Sequence, residues 1–581
     1  MSSKFAKSPR SLLPQDFKLA DFESIEPYLK SQLEKQPTGL TELILWIKGN
    51  EEIEACVSEE MAWRYINYTR YTDNQNYVDA YSHFVKEIQP KLVKVSHQLN
   101  QKLVEHSEFK NLPNAPLINF KKKAELAIEL YREENIELEV KQTNLAQQYA
   151  STTGALSIEH NGEELTMQQA SKLLLQPDRQ LRKMVYEKIQ QRRAEEKSGL
   201  NEIFDQLVKL RHQQAHNCDF ENYRDYKHKS LGRFDYTVND VLEFHQTIEK
   251  VAVPIQEEIL RDRQRKLGFD TLKPYDLQVN IYSDQPLKPF ETGSELLEKA
   301  ITCFERLDPF FGETLTIMKE KGFLDLESRK GKASGGYNYP LDEHGIPFIF
   351  MNASGSMRDV TTMVHEGGHA VHSMLSRNID YSSLKHCPSE VSELASMSME
   401  LISMDHWDVF FDDEHDLTRA KIEQLEGVLD VLPWIATIDK FQHWIYTHPE
   451  HNADEREAEW VRIFRTFNSN ITDYSDYEEF LKISWHKQLH VFEVPFYYIE
   501  YAIAQLGAIA IWKNYKQNPS RALEQYKAAL SLGYTKTINE LYETAGIEFN
   551  FGEAYVRELL DFVKTEMDGL IARYESLQPV E

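Results

Sequence analysis

The amino-acid sequence predicts a mainly α-helical fold with a small β-sheet. Apolar residues recur at three- and four-residue spacing over residues 24–101, and the same period dominates from residue 167 to about Leu267 and from about Asp359 to the end. Two short segments, residues 156–167 and 335–351, break this pattern and are typical of strands. The sequence has no repeat of fixed period, so it gives no support to a solenoid.

The length of 581 residues allows one large core or several fused lobes. A polar, proline-bearing stretch at residues 111–116 interrupts the first helical part, and we place a domain boundary there. The predicted division is an N-terminal helical region, residues 1–115, and a larger body, residues 116–581. The larger body is expected to contain a helix near residues 359–377.

The first strand-like segment contains a hairpin signal. Asn161-Gly162 lies between two short alternating runs, and this dipeptide favours the turn of a two-residue hairpin loop. Thr166, followed three residues later by Gln169, is typical of a capping box. We therefore expect a β-hairpin that leads directly into a helix.

The balance of charges argues against two classes of partner. The chain has 93 acidic and 66 basic residues, which gives a formal net charge of −27. Such a field repels phosphate backbones and anionic lipid surfaces. We therefore expect no binding to nucleic acid or to a membrane. The acidity is interpreted as a contribution to solubility, with a mild preference for basic peptides as the alternative.

The cysteines and the N-terminus predict a cytoplasmic protein. No two cysteines have the Cys-x-x-Cys spacing of a metal or redox pair, so ordinary reduced thiols are expected at Cys56, Cys218, Cys303 and Cys387. The first residues contain no apolar core of a signal peptide, and no later segment is apolar enough to cross a bilayer. The oligomeric state is left undetermined.

The strongest chemical signal is the run His365-Glu366-Gly367-Gly368-His369. Residues four apart on an α-helix lie one turn apart on one face, so both imidazoles can reach one cation. The carboxylate of Glu366 projects beside that cation, where it can take a proton from a zinc-activated water. The alternative is a surface helix whose histidines face solvent.

The two glycines inside this run are unfavourable for a helix. Gly367 and Gly368 each cost about 1 kcal/mol relative to alanine in a helix interior. Their presence indicates that another group approaches the helix closely. Tight packing of a second helix is one explanation, and a functional approach is the other.

A catalytic zinc ion takes three protein ligands and leaves a fourth position for water. The two histidines therefore need a third donor, and the downstream candidates are His372, Glu390, Glu393 and Glu400. His372 lies seven residues from His365, about 10 Å along a helix, which is too far for both to bind one ion. We interpret His372 as a packing residue or as a support for the ligands.

The segment of residues 389–400 has helical character, with Glu393 and Glu400 on one face two turns apart. One of them can bind the metal while the other accepts the outer N–H of a ligating histidine. Glu400 fits the supporting role. A solvated helix face is the alternative for each glutamate.

These motifs resemble those of the thimet oligopeptidase and oligoendopeptidase F family of zinc metallopeptidases. The resemblance rests on two runs: Arg358-Asp359-Val360 leading into residues 365–373, and Glu393-Leu394-Ala395-Ser396 followed by Glu400. It implies one Zn²⁺ ion per chain, with Glu393 as the third ligand beside His365 and His369. It also implies that Glu400 and Asp359 support the ligands.

A segment upstream of the metal motif is similar to the family's strand region that lines the substrate cleft. The residues that carry this similarity, and the implied substrate contacts, are Gly335, Gly336, Tyr337, Phe348 and Phe350. An edge strand there would pair with a peptide backbone and so accept many sequences in extended form. An ordinary internal strand is the alternative.

Near the C-terminus, His490 followed by Tyr498 and Tyr501 is similar to the family's histidine and closely spaced tyrosines. A tyrosine hydroxyl aimed at the developing oxyanion would stabilise the tetrahedral intermediate, and core packing is the alternative. Weaker similarity covers residues 232–237 and 441–444. The sequence departs from the family pattern in the histidine-to-tyrosine spacing and at Gly367, where a bulkier apolar residue is usual.

The resemblance implies a two-lobed helical fold with a deep substrate channel, in which residues 116–581 form the catalytic body. The implied function is a zinc-dependent oligoendopeptidase that cleaves internal bonds of short unstructured peptides, with Glu366 as general base. A helical zinc carboxypeptidase or dipeptidase would use the same ligands but needs a cationic group for a terminal carboxylate. A non-catalytic peptide-binding protein is the alternative of another class, and the intact Glu366 argues against it.

Overall fold

The structure of the protein is a computed structural model, which describes residues 7, 9–283 and 285–577. α-Helices form most of it, and this confirms the predicted fold class. In chain order the α-helices are α1 (Phe22–Glu34), α2 (Gly39–Arg70), α3 (Gln75–His83), α4 (Gln89–Val104), α5 (Asn114–Leu130), α6 (Glu133–Gly154), α7 (Met167–Leu173), α8 (Arg179–Glu195), α9 (Lys197–Asn217), α10 (Tyr223–Ser230), α11 (Val238–Leu267), α12 (Gly293–Leu307), α13 (Pro309–Lys321), α14 (Met357–Ser376), α15 (Ser389–Ile402), α16 (Glu414–Thr447), α17 (Ala453–Phe467), α18 (Glu478–Lys482), α19 (Leu489–Glu493), α20 (Tyr498–Gln517), α21 (Pro519–Ser531), α22 (Ile538–Thr544) and α23 (Glu553–Leu577). Within these described ranges, no helix is both long and apolar enough to span a membrane.

The strands form two small sheets. They are β1 (Ser157–His160), β2 (Glu163–Thr166), β3 (Leu324–Glu327), β4 (Tyr337–Tyr339) and β5 (Phe348–Ala353). β1 and β2 pair antiparallel, whereas β5 lies between a parallel β3 and an antiparallel β4. In the β4–β5 pair, Tyr337 lies opposite Phe350 and Tyr339 lies opposite Phe348.

The predicted hairpin and its capping box are present. Asn161 and Gly162 have φ angles of 53° and 82°, and two successive positive values are what a type I′ turn requires. The Thr166 side chain accepts the backbone N–H of Gln169, whose side chain accepts the backbone N–H of Thr166 in return. Both features involve only neighbours in the chain, so the local sequence is sufficient to specify them.

The chain folds as two compact units. Unit 1 comprises Met1–Glu133, Lys288–Leu417 and Ala504–Phe549, and unit 2 comprises Glu134–Leu287, Thr418–Ile503 and Asn550–Glu581. The three-stranded sheet and α14 belong to unit 1, and the hairpin belongs to unit 2. The boundary at residue 115 and the deep substrate channel stay predictions.

The sheet of unit 1 determines where α14 begins. Phe348 and Phe350 of β5 pack with Ala62 and Ile66 of α2 in a buried apolar cluster. β5 ends at Ala353 and α14 starts at Met357, so only a short turn separates the buried strand from the helix. The strand thereby anchors the N-terminal end of the helix that carries the histidine motif.

Candidate active site

The start of α14 is stabilised by a capping box between Ser356 and Asp359. The Asp359 carboxylate accepts the backbone N–H groups of Ser354 and Ser356, each at 2.9 Å. Asp359 precedes His365 by six residues, about 9 Å along a helix axis. These contacts fix the end of the helix, and the predicted support of the metal ligands by Asp359 stays a prediction.

The two histidines of α14 converge with Glu393 of α15. His365 Nε2 lies 3.3 Å from Glu393 Oε2, and His369 Nε2 lies 3.6 Å from the same oxygen. One donor atom from each of the three side chains lies within 4.8 Å of the others. Burial lowers the pKa of His369 to about 4, which keeps that ring in the neutral form that binds a metal.

Two residues of α15, Glu400 and Ser396, contact these candidate metal-ligating side chains and orient them. Glu400 Oε1 lies 2.7 Å from His365 Nδ1, so the other ring nitrogen, Nε2, is the one turned toward Glu393. The hydroxyl of Ser396 donates to Glu393 Oε2 at 3.0 Å. Ser396 belongs to the run that carries the family resemblance but was not among the predicted site residues, although its position three residues after Glu393 on the same helix favours a contact.

Glu366 is buried beside the three donors, with 6% of its surface exposed. Burial raises the pKa of its carboxyl to about 7; the charge of His365 opposes this rise, and the charges of Glu393 and Glu400 reinforce it. The backbone carbonyl of Glu366 accepts the side-chain N–H of Asn338 in β4 at 3.2 Å. A carboxyl that titrates near neutrality can both accept and return a proton.

Gly367 and Gly368 let two helices approach α14. A Cβ atom on Gly367 would lie 2.6 Å from Phe304 Cζ of α12, and one on Gly368 would lie 2.7 Å from Ser396 Cα of α15. Real Cβ atoms essentially never come so close to another atom. Tight helix packing therefore explains both glycines, and the packing at Gly368 brings Glu393 and Glu400 within reach of His365.

Gly368→Ala is expected to force α14 and α15 apart. The added methyl group meets helix backbone rather than a flexible side chain, so we expect a loss of about 1–3 kcal/mol in the free energy of unfolding, with weaker zinc binding. Gly427→Ala in α16 is the matched control, because a Cβ there meets nothing within 4 Å in the described structure. That control should gain up to about 1 kcal/mol. Thermal unfolding with and without zinc measures both variants, and an unchanged Gly368→Ala protein would contradict the packing argument.

The other candidate ligands lie outside the group of close donors found among the described residues, which contains Glu393 but neither His372 nor Glu390. His372 is buried, its Nε2 lies 3.6 Å from Cys387 Sγ, and burial lowers its pKa to about 3. The backbone carbonyl of Glu390 accepts the Tyr542 hydroxyl at 3.4 Å.

The predicted substrate segment divides between two strands. Gly335 and Gly336 precede β4, and Tyr337 opens β4, which lies at the edge of the sheet. Phe348 and Phe350 belong to the central strand β5 and have no exposed surface. Their position differs from the predicted substrate contact, because a fully buried side chain presents no face to a peptide. β5 is therefore an ordinary internal strand, which was the alternative to a strand that contacts the substrate.

The C-terminal histidine and tyrosines lie together in unit 2. The ring centroid of His490 is 4.7 Å from that of Tyr498 and 6.0 Å from that of Tyr501. All three side chains are partly exposed. The Gln488 amide nitrogen lies 2.8 Å from His490 Nδ1. The catalytic roles of the histidine and the tyrosines stay predictions.

The chain turns sharply at Phe496, between α19 and α20. Its φ angle of 66° lies in the left-handed region. A bulky residue in this region costs about 1–3 kcal/mol, so the surrounding contacts must offset that cost.

A second group of close donors is buried in unit 2 and consists of His245, Asp439 and His443. The Nε2 atoms of His245 and His443 lie 2.8 and 3.2 Å from Asp439 Oδ2, which are hydrogen-bond distances. Neither histidine has a partner for Nδ1 within the described structure, whereas a metal-ligating histidine almost always donates its outer N–H. We interpret this group as a hydrogen-bonded link between α11 and α16.

Two known proteins are similar to this chain in sequence. The chain is 23% identical over 420 residues to the oligoendopeptidase F homolog of Borreliella burgdorferi, a match that covers 71% of this chain and 68% of that protein. It is 23% identical over 314 residues to the oligopeptidase PepF of Bacillus subtilis, covering 53% of this chain and 45% of that protein.

Solved structures match over nearly the whole chain. The structure of PZ peptidase A with inhibitor 2 has a TM-score of 0.90 and 26% identity, with 95% of this chain and 98% of that chain covered. Oligoendopeptidase-F from Enterococcus faecium has a TM-score of 0.64 and 16% identity, which shows a shared fold. The model of peptidase family M3 matches residues 172–560, more than half of the sequence and the part that carries the histidine motif and Glu393. The chain therefore belongs to peptidase family M3.

Proposed function

We propose that this family M3 peptidase is a zinc-dependent oligoendopeptidase that hydrolyses internal bonds of short unstructured peptides. The observation that carries the proposal is the convergence of His365, His369 and Glu393 beside a buried Glu366. Family membership and the oligopeptidase relatives support a peptidase that acts on oligopeptides. A cytoplasmic location stays a prediction of the sequence.

The donor set fits a single zinc ion. Two imidazole nitrogens and one carboxylate oxygen are the ligands of many catalytic zinc sites, which keep one position open. The contact between His365 Nδ1 and Glu400 supplies the outer partner that such a ligand normally has. When bound, the zinc ion supplies a Lewis acid that lowers the pKa of water and polarises a carbonyl.

Glu366 is the proton carrier in the proposed reaction. Its carboxylate accepts a proton from the attacking water, and the resulting acid returns the proton to the leaving amine. Burial raises the pKa of Glu366, and a raised pKa favours a carboxyl that can both accept and return a proton.

β4 is the proposed docking edge for the peptide backbone. It is one of the two edge strands of its sheet, and Asn338 within it contacts the backbone of Glu366. Main-chain pairing along an edge strand selects an extended conformation rather than a side chain, which suits a peptidase with broad substrates. Gly335, Gly336 and Tyr337 are the proposed contacts.

His490, Tyr498 and Tyr501 are the proposed stabilisers of the tetrahedral intermediate. Their rings are grouped, and all three residues are partly exposed. A preorganised hydroxyl that donates to a developing oxyanion lowers the barrier to acyl transfer.

The test is product mapping on a peptide blocked at both termini. We expect internal cleavage, seen by mass spectrometry, that a chelator abolishes and added zinc restores. Trimming of free peptides without cleavage of the blocked peptide would replace the endopeptidase by a carboxypeptidase or dipeptidase. Binding without cleavage of either peptide would favour the non-catalytic alternative.

A further inference from the structure

The turn at Phe496 joins the two elements that carry the C-terminal histidine and tyrosines. His490 lies in α19 before the turn, and Tyr498 and Tyr501 lie in α20 after it. The backbone angle at Phe496 therefore sets how these three side chains face one another. Phe496 itself is almost fully buried, so this residue of the turn is part of the packed interior of unit 2.

Two side chains distant in the sequence, Gln442 in α16 and Arg233 in the loop between α10 and α11, hold both backbone polar groups of Phe496. Its N–H donates to Gln442 Oε1 of α16 at 2.7 Å, and its carbonyl accepts from the Arg233 guanidinium. The same guanidinium pairs with Glu500 of α20 at 2.7 Å. Gln442 is fully buried, and both partners of the ion pair are nearly so. Water therefore cannot easily replace any of these contacts.

Neighbouring contacts support the same segment. The Phe496 ring packs against His443 and Tyr446 of α16, with centroids 5.4 and 5.5 Å apart. Arg211 donates to the Tyr446 hydroxyl and to the carbonyls of Val491 and Phe492, the latter two in α19. Residues of α16, together with Arg211 of α9, thus contact the segment from α19 to the turn.

We propose that Gln442 and Arg233 are positioning residues that fix the relative placement of His490, Tyr498 and Tyr501. The proposal rests on the proposed oligoendopeptidase function. It also gives a role to the two segments of weaker family similarity, residues 232–237 and 441–444, which contain Arg233 and Gln442 and contribute no ligand to the metal site. A bulky residue does not hold positive φ by its own preference, so surrounding contacts must impose it. Removing the Gln442 acceptor leaves a buried N–H unpaired, and a return to negative φ would rotate α20 relative to α19.

The test compares Gln442→Met with Gln442→Glu in the full-length enzyme. Methionine keeps the length of the side chain without a carbonyl oxygen, whereas glutamate keeps an oxygen that accepts the Phe496 N–H. We expect Gln442→Met to lower kcat by about 10- to 100-fold, since displaced catalytic groups lose this much, with KM and zinc content unchanged. Gln442→Glu should restore most of kcat.

Gln214→Met is the matched control for buried glutamine loss. Gln214 is buried in α9 of the same unit, and its amide donates to Glu139 and Tyr226 rather than to the turn. This variant should lose stability without losing kcat. If Gln442→Met fails to fold, Gln442→Asn is used instead, because the shorter side chain moves the acceptor oxygen away from the Phe496 N–H. The same changes in kcat, KM and zinc content are expected.

A double-mutant cycle separates positioning from general destabilisation. In a His490→Phe/Tyr498→Phe/Tyr501→Phe background, adding Gln442→Met should lower kcat little further, because the polar groups that Gln442 positions are already gone. Affinity for a phosphinic peptide, a mimic of the tetrahedral intermediate, should fall in parallel with kcat/KM in Gln442→Met. Additive losses, or an unchanged kcat in a folded Gln442→Met or Gln442→Asn protein, would overturn the proposal. Absence of cleavage by the wild-type enzyme would instead overturn the proposed function itself.

Discussion

Glu366→Gln is expected to abolish peptide hydrolysis while leaving zinc bound. Glutamine keeps the size of the side chain but accepts no proton, so the general-base contribution, about 10²–10⁴ in kcat, is lost. The three converging donors are untouched, so one zinc ion per chain should remain. Hydrolysis of a doubly blocked peptide and the zinc content of the purified protein measure the two expectations.

Glu313→Gln, on an exposed position of α13 in the same unit, is the control for this substitution. It should hydrolyse the peptide at the wild-type rate. Normal turnover by Glu366→Gln would remove this carboxyl from the mechanism. Loss of zinc from the variant would assign the defect to the metal site rather than to proton transfer.

The part of the site that could be predicted from the sequence is the part that is local in the chain. The four-residue spacing of His365 and His369 determines their common face as soon as the segment is helical. The hairpin at Asn161-Gly162 was predictable for the same reason. Glu393 came from the family resemblance, because helical spacing excluded His372 but left Glu390 and Glu400 as alternatives. The structure separates these glutamates through the packing of α15 on α14 at Gly368.

The part that could not be predicted depends on contacts between distant segments. An apolar run such as residues 348–351 has the same pattern in an edge strand and in a buried central strand, and only the pairing of β5 on both sides decides. The Phe496 turn also could not be predicted from the sequence, because its positive φ is imposed by Gln442 and Arg233 rather than by a glycine. Long-range packing, rather than local preference, determines both features.

Three glutamates of α15 should differ in their effect on zinc affinity when each is replaced by glutamine. Glu393→Gln removes the charged donor and should weaken zinc binding by more than about 100-fold, since loss of a supporting partner alone costs about 10- to 100-fold. Glu400→Gln, which alters the partner of His365 Nδ1, should fall in that lower range. Glu390→Gln should keep wild-type affinity, because Glu390 lies outside the group of close donors in the described structure.

Competition with a chromogenic chelator gives the three affinities, and thermal unfolding gives an independent readout of the same order. Zinc at 100 times its dissociation constant stabilises a folded protein by about 2.7 kcal/mol, whereas the same concentration adds only about 0.4 kcal/mol when binding is 100-fold weaker. Stabilisation by zinc should therefore persist in Glu390→Gln and nearly vanish in Glu393→Gln. Because the three substitutions are chemically identical and lie on one helix, a reversed order between Glu390 and Glu393 would reject Glu393 as the third ligand. Equal losses in all three would instead show that α15 responds as a whole, which the distinct contacts of Glu393 and Glu400 argue against.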